Sequence, residues 1–173
     1  GIIFAPAALP ILPVETFIRY QETLGIAPPK TEVGHKGVLP QHFGDMFGWE
    51  ELTAKVAEVY YSLPQEEREK AAIFANNYGE AGAIDLFGKK YGLPKAISNH
   101  QSYYLWGPGN YDGSIVIILG DTKKEAEEFF QTVEEKPRVG EPFAMQEENF
   151  NILVGRGLKQ PFPEIWKKIK NWN

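Results

Sequence analysis

Apolar residues recur every three or four positions between Trp49 and Leu63, which is the spacing of one buried helix face. Pro64 follows directly and predicts the end of that helix. Two short apolar runs differ from it, because residues 71–75 (AAIFA) and 114–119 (SIVIIL) are apolar almost throughout. Runs of this length predict buried strands, and the β-branched second run predicts a central strand covered on both faces.

Turn and capping signals connect these strands to further helices. The turn at 76–85 (NNYGEAGAID) leads from the first strand into a helix that we expect to end near Tyr91. Asp121 or Thr122 can cap the next helix, and Thr122 with Glu125 has the spacing of a capping box. The buried face predicted for that helix consists of Ala126, Phe129, Phe130 and Val133.

Residues 95–98 and 151–154 predict two more strands, and residues 163–172 predict a C-terminal helix. Strands that alternate with helices are typical of α/β proteins. The predicted fold class is therefore α/β: a three-layer α/β/α sandwich with a mostly parallel, Rossmann-like sheet.

The start of the chain is apolar and contains three prolines between residues 2 and 14 (IIFAPAALPILPV). This run is shorter than the about 20 residues that a membrane-spanning helix needs. Two interpretations remain open: a segment packed on the domain, or the end of a transmembrane helix. Residues 20–47 are rich in Gly and Pro without a sustained period, which predicts a long irregular connection.

Composition excludes several classes of function. The chain has 173 residues and a formal net charge of −5, so no basic stripe is available for a nucleic-acid backbone. It contains no cysteine, which excludes a disulfide framework and a thiolate metal site. Its histidines, His35, His42 and His100, are scattered. We expect no metal, no cofactor and no nucleic-acid partner.

Two segments carry candidate chemistry with weak motifs. The turn at 76–85 lies where open α/β sheets place ligands, but its glycines form only G-x-x-G, and an acid such as Glu80 is also favoured by the helix dipole. Glu80, Asp85 and His100 are a possible acid/base set for hydrolysis, although no spacing demands it. An independent sugar- or nucleotide-binding module and a small hydrolase therefore remain alternatives.

The segment 100–113 (HQSYYLWGPGNYDG) has a sharper functional interpretation. Aromatic faces stack on the C–H faces of sugars and neighbouring amides bind hydroxyl groups, so this composition suits a carbohydrate or protein surface. The structural alternative is a strand on which Tyr104 and Trp106 point into the core while Tyr103 and Leu105 face outward.

Taken together, five segments resemble the soluble C-terminal domain of bacterial membrane glycosyltransferases of the family 39 type, which are similar to dolichyl-phosphate-mannose-protein mannosyltransferases. The resemblance rests on residues 9–20 (LPILPVETFIRY), 39–52 (LPQHFGDMFGWEEL), 77–85 (NYGEAGAID), 91–108 (YGLPKAISNHQSYYLWGP) and the strand-helix unit from Ile115 onward. It covers nearly the whole chain in the expected order.

The resemblance implies a multi-spanning bacterial membrane enzyme that transfers a hexose or pentose from a polyprenyl-phosphate carrier to a lipid or protein acceptor. Residues 1–20 are then the end of a transmembrane helix or a linker remnant, and residues 21–173 a single soluble extracytoplasmic α/β domain. Its partners are its own transmembrane domain, absent from this chain, and the carrier-linked sugar or the acceptor. The isolated domain is expected to be inactive, because the family's catalytic carboxylates lie in the membrane half.

No catalytic residue is therefore assigned to this chain. The expected role of the domain is to cap the active site, help to bind the acceptor or stabilise the membrane half. The predicted ligand or partner surface consists of Asn77, Tyr78, Glu80, His100, Gln101, Ser102, Tyr103 and Trp106.

Overall fold

The computed structural model of the chain describes residues 2–25, 38–138, 140–144 and 151–172. These residues form two compact units. The first contains the described residues within 1–48 and 141–149, and the second those within 49–140 and 150–173.

The first unit is helical. After a 3₁₀ turn at Ile2–Phe4 come α1 (Ala5–Ala8), α2 (Val14–Leu24) and α3 (Gln41–Gly44). Its small core is aromatic: the buried rings of Phe17 and Phe43 meet edge to face with their centroids 4.8 Å apart. No helix among the described residues is long and apolar enough to cross a membrane.

The irregular connection predicted for residues 20–47 is wrong at both described ends. Helix α2 continues to Leu24 because it buries Gln21 one turn after Phe17, and Gly25 then ends it in the left-handed conformation. Helix α3 follows Pro40, whose fixed φ suits the start of a helix. Residues 26–37 lie outside the described residues.

The second unit is an α/β fold around one sheet. Its helices are α4 (Trp49–Ser62), α5 (Gln65–Arg68), α6 (Tyr78–Phe87), α7 (Gln101–Trp106), α8 (Lys123–Phe129) and α9 (Phe162–Lys168). Its strands are β1 (Ala71–Ala75), β2 (Ala96–Ser98), β3 (Ile115–Leu119), β4 (Phe130–Lys136) and β5 (Ile152–Leu158). A 3₁₀ turn, Gly88–Tyr91, follows α6, so the predicted end of that helix near Tyr91 is close to the observed one.

The five-stranded sheet has the order β2-β1-β3-β5-β4 and is mixed. Strands β1, β2 and β3 are parallel, whereas β5 pairs antiparallel with both β3 and β4. The α/β class and the parallel centre are thus as predicted, but the sheet is less parallel than expected.

Both faces of the central strands are buried. On one face, Ala72, Val116, Ile118 and Leu153 form a cluster with Phe162 and Trp166 of α9. The alternate residues of the same strands, which point to the opposite face, are also buried: Ala71, Ile73, Ala75, Ile117, Leu119, Ile152 and Val154. Each isoleucine so buried contributes roughly 2 kcal/mol of transfer free energy, which explains why β1 and β3 were visible as apolar runs.

The helix predicted to continue through Phe130 and Val133 is wrong. Helix α8 ends at Phe129, and β4 follows immediately and pairs with β5 along its whole length. Phe130 packs directly on Gly155 of β5, where a Cβ atom would lie 2.7 Å from its ring. A glycine on the partner strand therefore creates the space that the aromatic ring of β4 occupies.

Two further sequence interpretations need correction. The C-terminal helix ends at Lys168, four residues before Trp172, because the tail turns back to the sheet: the amide of Asn171 donates to the carbonyl of Asn99 at 2.9 Å.

The strand alternative for residues 100–108 is also wrong, since this segment forms α7.

Candidate functional site

The carboxyl ends of the three parallel strands meet at one edge of the sheet, where open α/β folds usually bind ligands. The turn between β1 and α6 lies at this edge. Asn77 caps α6, because its side-chain oxygen accepts the amide of Glu80 at 2.9 Å, and the two residues form a complete capping box.

Glu80 fills the crevice between β1 and β3. Its side chain is fully buried, and its Oε2 accepts the backbone amides of Asn76 at 3.1 Å and Asn77 at 3.4 Å. A Cβ atom at Gly120, the residue after β3, would lie 2.8 Å from both carboxylate oxygens, and Gly120 has φ +80°. The protein's own carboxylate thus lies at the helix N-terminus, where bound anions are often found, and accepts the amide of the N-cap residue Asn77.

Tyr78 and His100 form an aromatic pair at the same edge, with ring centroids 4.9 Å apart. Tyr78 is exposed and His100 is buried. Gln101, the next residue, is exposed and adopts φ 45°, a left-handed conformation that is uncommon outside glycine. Its amide donates to the carbonyl of Asn171 at 2.9 Å, so the C-terminal tail fixes the chain at this point.

Asp85 lies away from this edge and has a structural role. Its Oδ1 accepts the amide of Ala96 at 2.9 Å, at the amino end of β2, and its Oδ2 accepts the hydroxyl of Tyr103 at 3.0 Å. Burial and the bonded carboxylate raise the pKa of Tyr103 to about 12, so its hydroxyl stays protonated. These bonds direct Asp85 away from Glu80 and give no support to the hydrolytic set.

The predicted surface therefore separates into two groups. Asn77, Tyr78, Glu80, His100 and Gln101 lie at the carboxyl edge of the sheet, followed by the exposed Ser102. Helix α7 then carries the chain to the amino end of β2, where Tyr103 and Trp106 lie with their ring centroids 4.7 Å apart. That these residues bind a ligand stays a prediction.

A cavity of about 310 Å³ opens beside Tyr103 and Trp106. Its lining also includes Asp85, residues 107–109 and 111 of the loop between α7 and β3, and Lys95, which the sequence analysis missed. A second cavity, of about 430 Å³, is lined by Glu69, Lys70, Asn110, Tyr111 and Asp112. Asn110, Tyr111 and Asp112 belong to the segment 100–113, whose composition suggested a carbohydrate or protein surface. No sequence signal indicated Glu69, Lys70 or Lys95.

Asp121 was considered from the sequence only as a possible helix cap, a position that Thr122 takes. It follows β3 and Gly120, and its side chain borders an apolar cavity of about 50 Å³ lined by Phe74, Phe129 and Phe130. Burial, with Glu125 nearby, raises the pKa of Asp121 to about 6. An acid directly after a buried strand was the available signal.

No three His, Cys, Asp or Glu side chains within the described part of the chain form a group suited to a metal ion. Comparisons with protein-family models, with curated proteins and with solved structures find no match to this chain.

Proposed function

We propose that this chain is the extracytoplasmic domain of a bacterial membrane glycosyltransferase of the family 39 type. The parent enzyme transfers a sugar from a polyprenyl-phosphate carrier to a lipid or protein acceptor, and this domain supports the reaction from the membrane surface. The ordered segments that resemble this family support the proposal. As part of it, we assign the second unit to the three-layer, Rossmann-like class, supported by the order β1-α6-β2-α7-β3 and by the two buried faces of the sheet.

The observation that carries the proposal is an exposed apolar surface on the first unit. Ile3, Phe4, Leu9 and Ile11 are 69%, 60%, 54% and 59% exposed. Four bulky apolar side chains within nine positions are an unfavourable surface for a domain surrounded by water. Residues 2–14 also contain no charged side chain, so transfer of this segment to an apolar medium carries no cost of charge desolvation.

An apolar cavity of about 250 Å³ adjoins this segment within the first unit. It is lined by Pro10, Leu12, Pro13, Val14, Phe17, Leu39, Phe43, Met46 and Phe47. The exposed side chains and this cavity together provide an apolar surface of the kind that rests on the hydrocarbon boundary of a membrane or on a transmembrane domain.

Flotation of the chain with phosphatidylcholine vesicles tests the membrane-facing role. Uncharged lipid is chosen because the net charge of −5 would repel anionic vesicles and obscure the apolar contribution. We expect the chain to float with the vesicles and the double variant Ile3→Ser, Ile11→Ser to lose association by about tenfold or more. The matched control is Leu86→Ser, which removes an apolar side chain that is 64% exposed on the second unit.

Equal flotation of the double variant and the wild type, or no flotation of the wild type, contradicts the membrane-facing role. The coding sequence upstream of Gly1 tests the glycosyltransferase assignment separately. Several upstream apolar stretches of about 20 residues support it, and an upstream sequence without any overturns it.

A further inference from the structure

We propose that the second unit binds an uncharged oligosaccharide in the cleft formed by the two cavities at the loop 107–112. This inference rests on the proposed function for its biological setting and deepens it by naming the ligand class of the domain. The binding itself involves only described residues of the second unit and is measurable without lipid.

Trp106 provides a stacking surface at one end of the cleft. It is the last residue of α7 and is 71% exposed, although tryptophan is among the most costly side chains to leave in water. The position of the indole ring is restricted, because Tyr103 packs against it edge to face and is itself held by the hydrogen bond from its hydroxyl to Asp85. A rigid aromatic face beside an open cavity is suited to the C–H face of a pyranose ring.

Tyr111 connects the two cavities, because its side chain lines both. One side of it packs on the core cluster of the sheet, and burial raises its pKa, so the ring position is fixed and the hydroxyl is protonated. The cavities of about 310 and 430 Å³ thus adjoin one another at a second aromatic residue. Their sizes are within the range of small-molecule sites, and their succession suits a ligand of two or more sugar units.

The polar side chains of the cleft favour an uncharged ligand. The exposed charged groups are Glu69 and Asp112 against Lys70 and Lys95. The half-buried Asp85 also lines the cleft, where it accepts the Ala96 amide and the Tyr103 hydroxyl. The bond from the Ser114 amide, with a smaller contribution from Lys70, keeps the pKa of Asp112 low, so this carboxylate accepts hydrogen bonds at neutral pH. Such a set of acceptors and donors fits hydroxyl groups, whereas a phosphate or carboxylate would meet more negative charge than positive.

Titration of the ¹⁵N-labelled chain with maltotriose, cellotriose and α-mannotriose tests the proposal. The four tryptophans give separate indole N–H signals, which identify the ring at which a sugar binds. We expect at least one trisaccharide to bind with a millimolar Kd and to shift the Trp106 signal first. Trp106→Ala and Tyr111→Ala should each weaken binding by about tenfold or more. The matched control is Trp172→Ala, which removes a tryptophan that is 51% exposed but does not line either cavity.

Three outcomes overturn the proposal: no trisaccharide binds up to about 20 mM, Trp172→Ala weakens binding as much as Trp106→Ala, or glucose 6-phosphate binds more tightly than the trisaccharides. Circular dichroism of each variant separates loss of binding from loss of folding, and Trp106→Phe, which keeps an aromatic face, should retain part of the affinity. Because no vesicles are present, failure here leaves the membrane-facing role to its own test.

Discussion

Replacement of Asp121 by asparagine should stabilise the fold at neutral and basic pH. The half-buried carboxyl group of Asp121 borders an apolar cavity, and its pKa is raised from 3.8 to about 6. A raised pKa means that the folded state holds the proton more tightly than the unfolded state. The stabilising contribution is complete below the unfolded pKa of 3.8, and it is lost as the pH rises through about 6.

The magnitude follows from the size of the shift. A difference of about two pKa units corresponds to roughly 3 kcal/mol at a pH well above 6, since each unit is worth about 1.4 kcal/mol. Partial exposure of the side chain reduces this value. We therefore expect Asp121→Asn, which has nearly the same shape and no charge, to raise the free energy of unfolding by about 1 to 2 kcal/mol at pH 8.

Urea unfolding of the wild type and the variant across pH 3.5 to about 8 measures this effect, because the difference between the two proteins removes the titration of all other groups. The gain should shrink as the pH falls below about 6 and nearly vanish near pH 3.5. Asp112→Asn is the control. Because the pKa of Asp112 is lowered, this replacement should reduce the free energy of unfolding at neutral pH instead of raising it. A pH-independent difference, or a loss of stability in Asp121→Asn at pH 8, would refute the assignment of a buried, uncompensated carboxylate.

Two further predictions concern contacts that hold the sheet together. Gly120→Ala should cost about 2 to 4 kcal/mol in urea unfolding, because φ is +80° there and the added Cβ would lie 2.8 Å from the Glu80 carboxylate. Alanine at the half-buried Gly82, where a Cβ would meet no atom within 4 Å, should have a small effect. Arg156→Ala should cost about 1 kcal/mol at pH 7, because Nη2 of Arg156 lies 2.7 Å from Oε2 of Glu67. The lowered pKa of Glu67 makes this contribution present at neutral pH and lost under acid conditions, so a cost that persists at pH 3 contradicts the ion-pair explanation.

Sequence reasoning located β1 and β3 within one residue because strands buried on both faces must be apolar at consecutive positions. It missed β4 because that strand is buried or half-buried only at every third residue, at Phe130, Val133 and Lys136, which imitates helical spacing. The space that admits Phe130 comes from Gly155 on another strand, and a pairing of that kind is not encoded locally.

The composition of the candidate site could be predicted from the sequence, but the arrangement of its residues could not. The aromatic character of residues 100–108 was visible, but the direction of the chain there was not, because a six-residue helix is too short to show a period. The outcome was that Tyr78 and Trp106, expected on one surface, lie at opposite ends of the parallel strands. The structural role of Asp85 could not be predicted either, because its hydrogen-bond partners Ala96 and Tyr103 are 11 and 18 positions away in the sequence.

Glu80 closes the crevice at which open α/β folds usually bind a ligand. In open α/β sheets the crevice at the carboxyl ends of the strands is free to hold a ligand, and the helix N-terminus there supplies amide donors. Here the buried carboxylate of Glu80 accepts the amides of Asn76 and Asn77 and lies against Gly120, so this crevice is filled by the protein itself. The cavities of about 310 and 430 Å³ instead adjoin the loop that precedes β3, so ligand recognition by this unit is expected at the amino ends of the strands, around Trp106 and Tyr111.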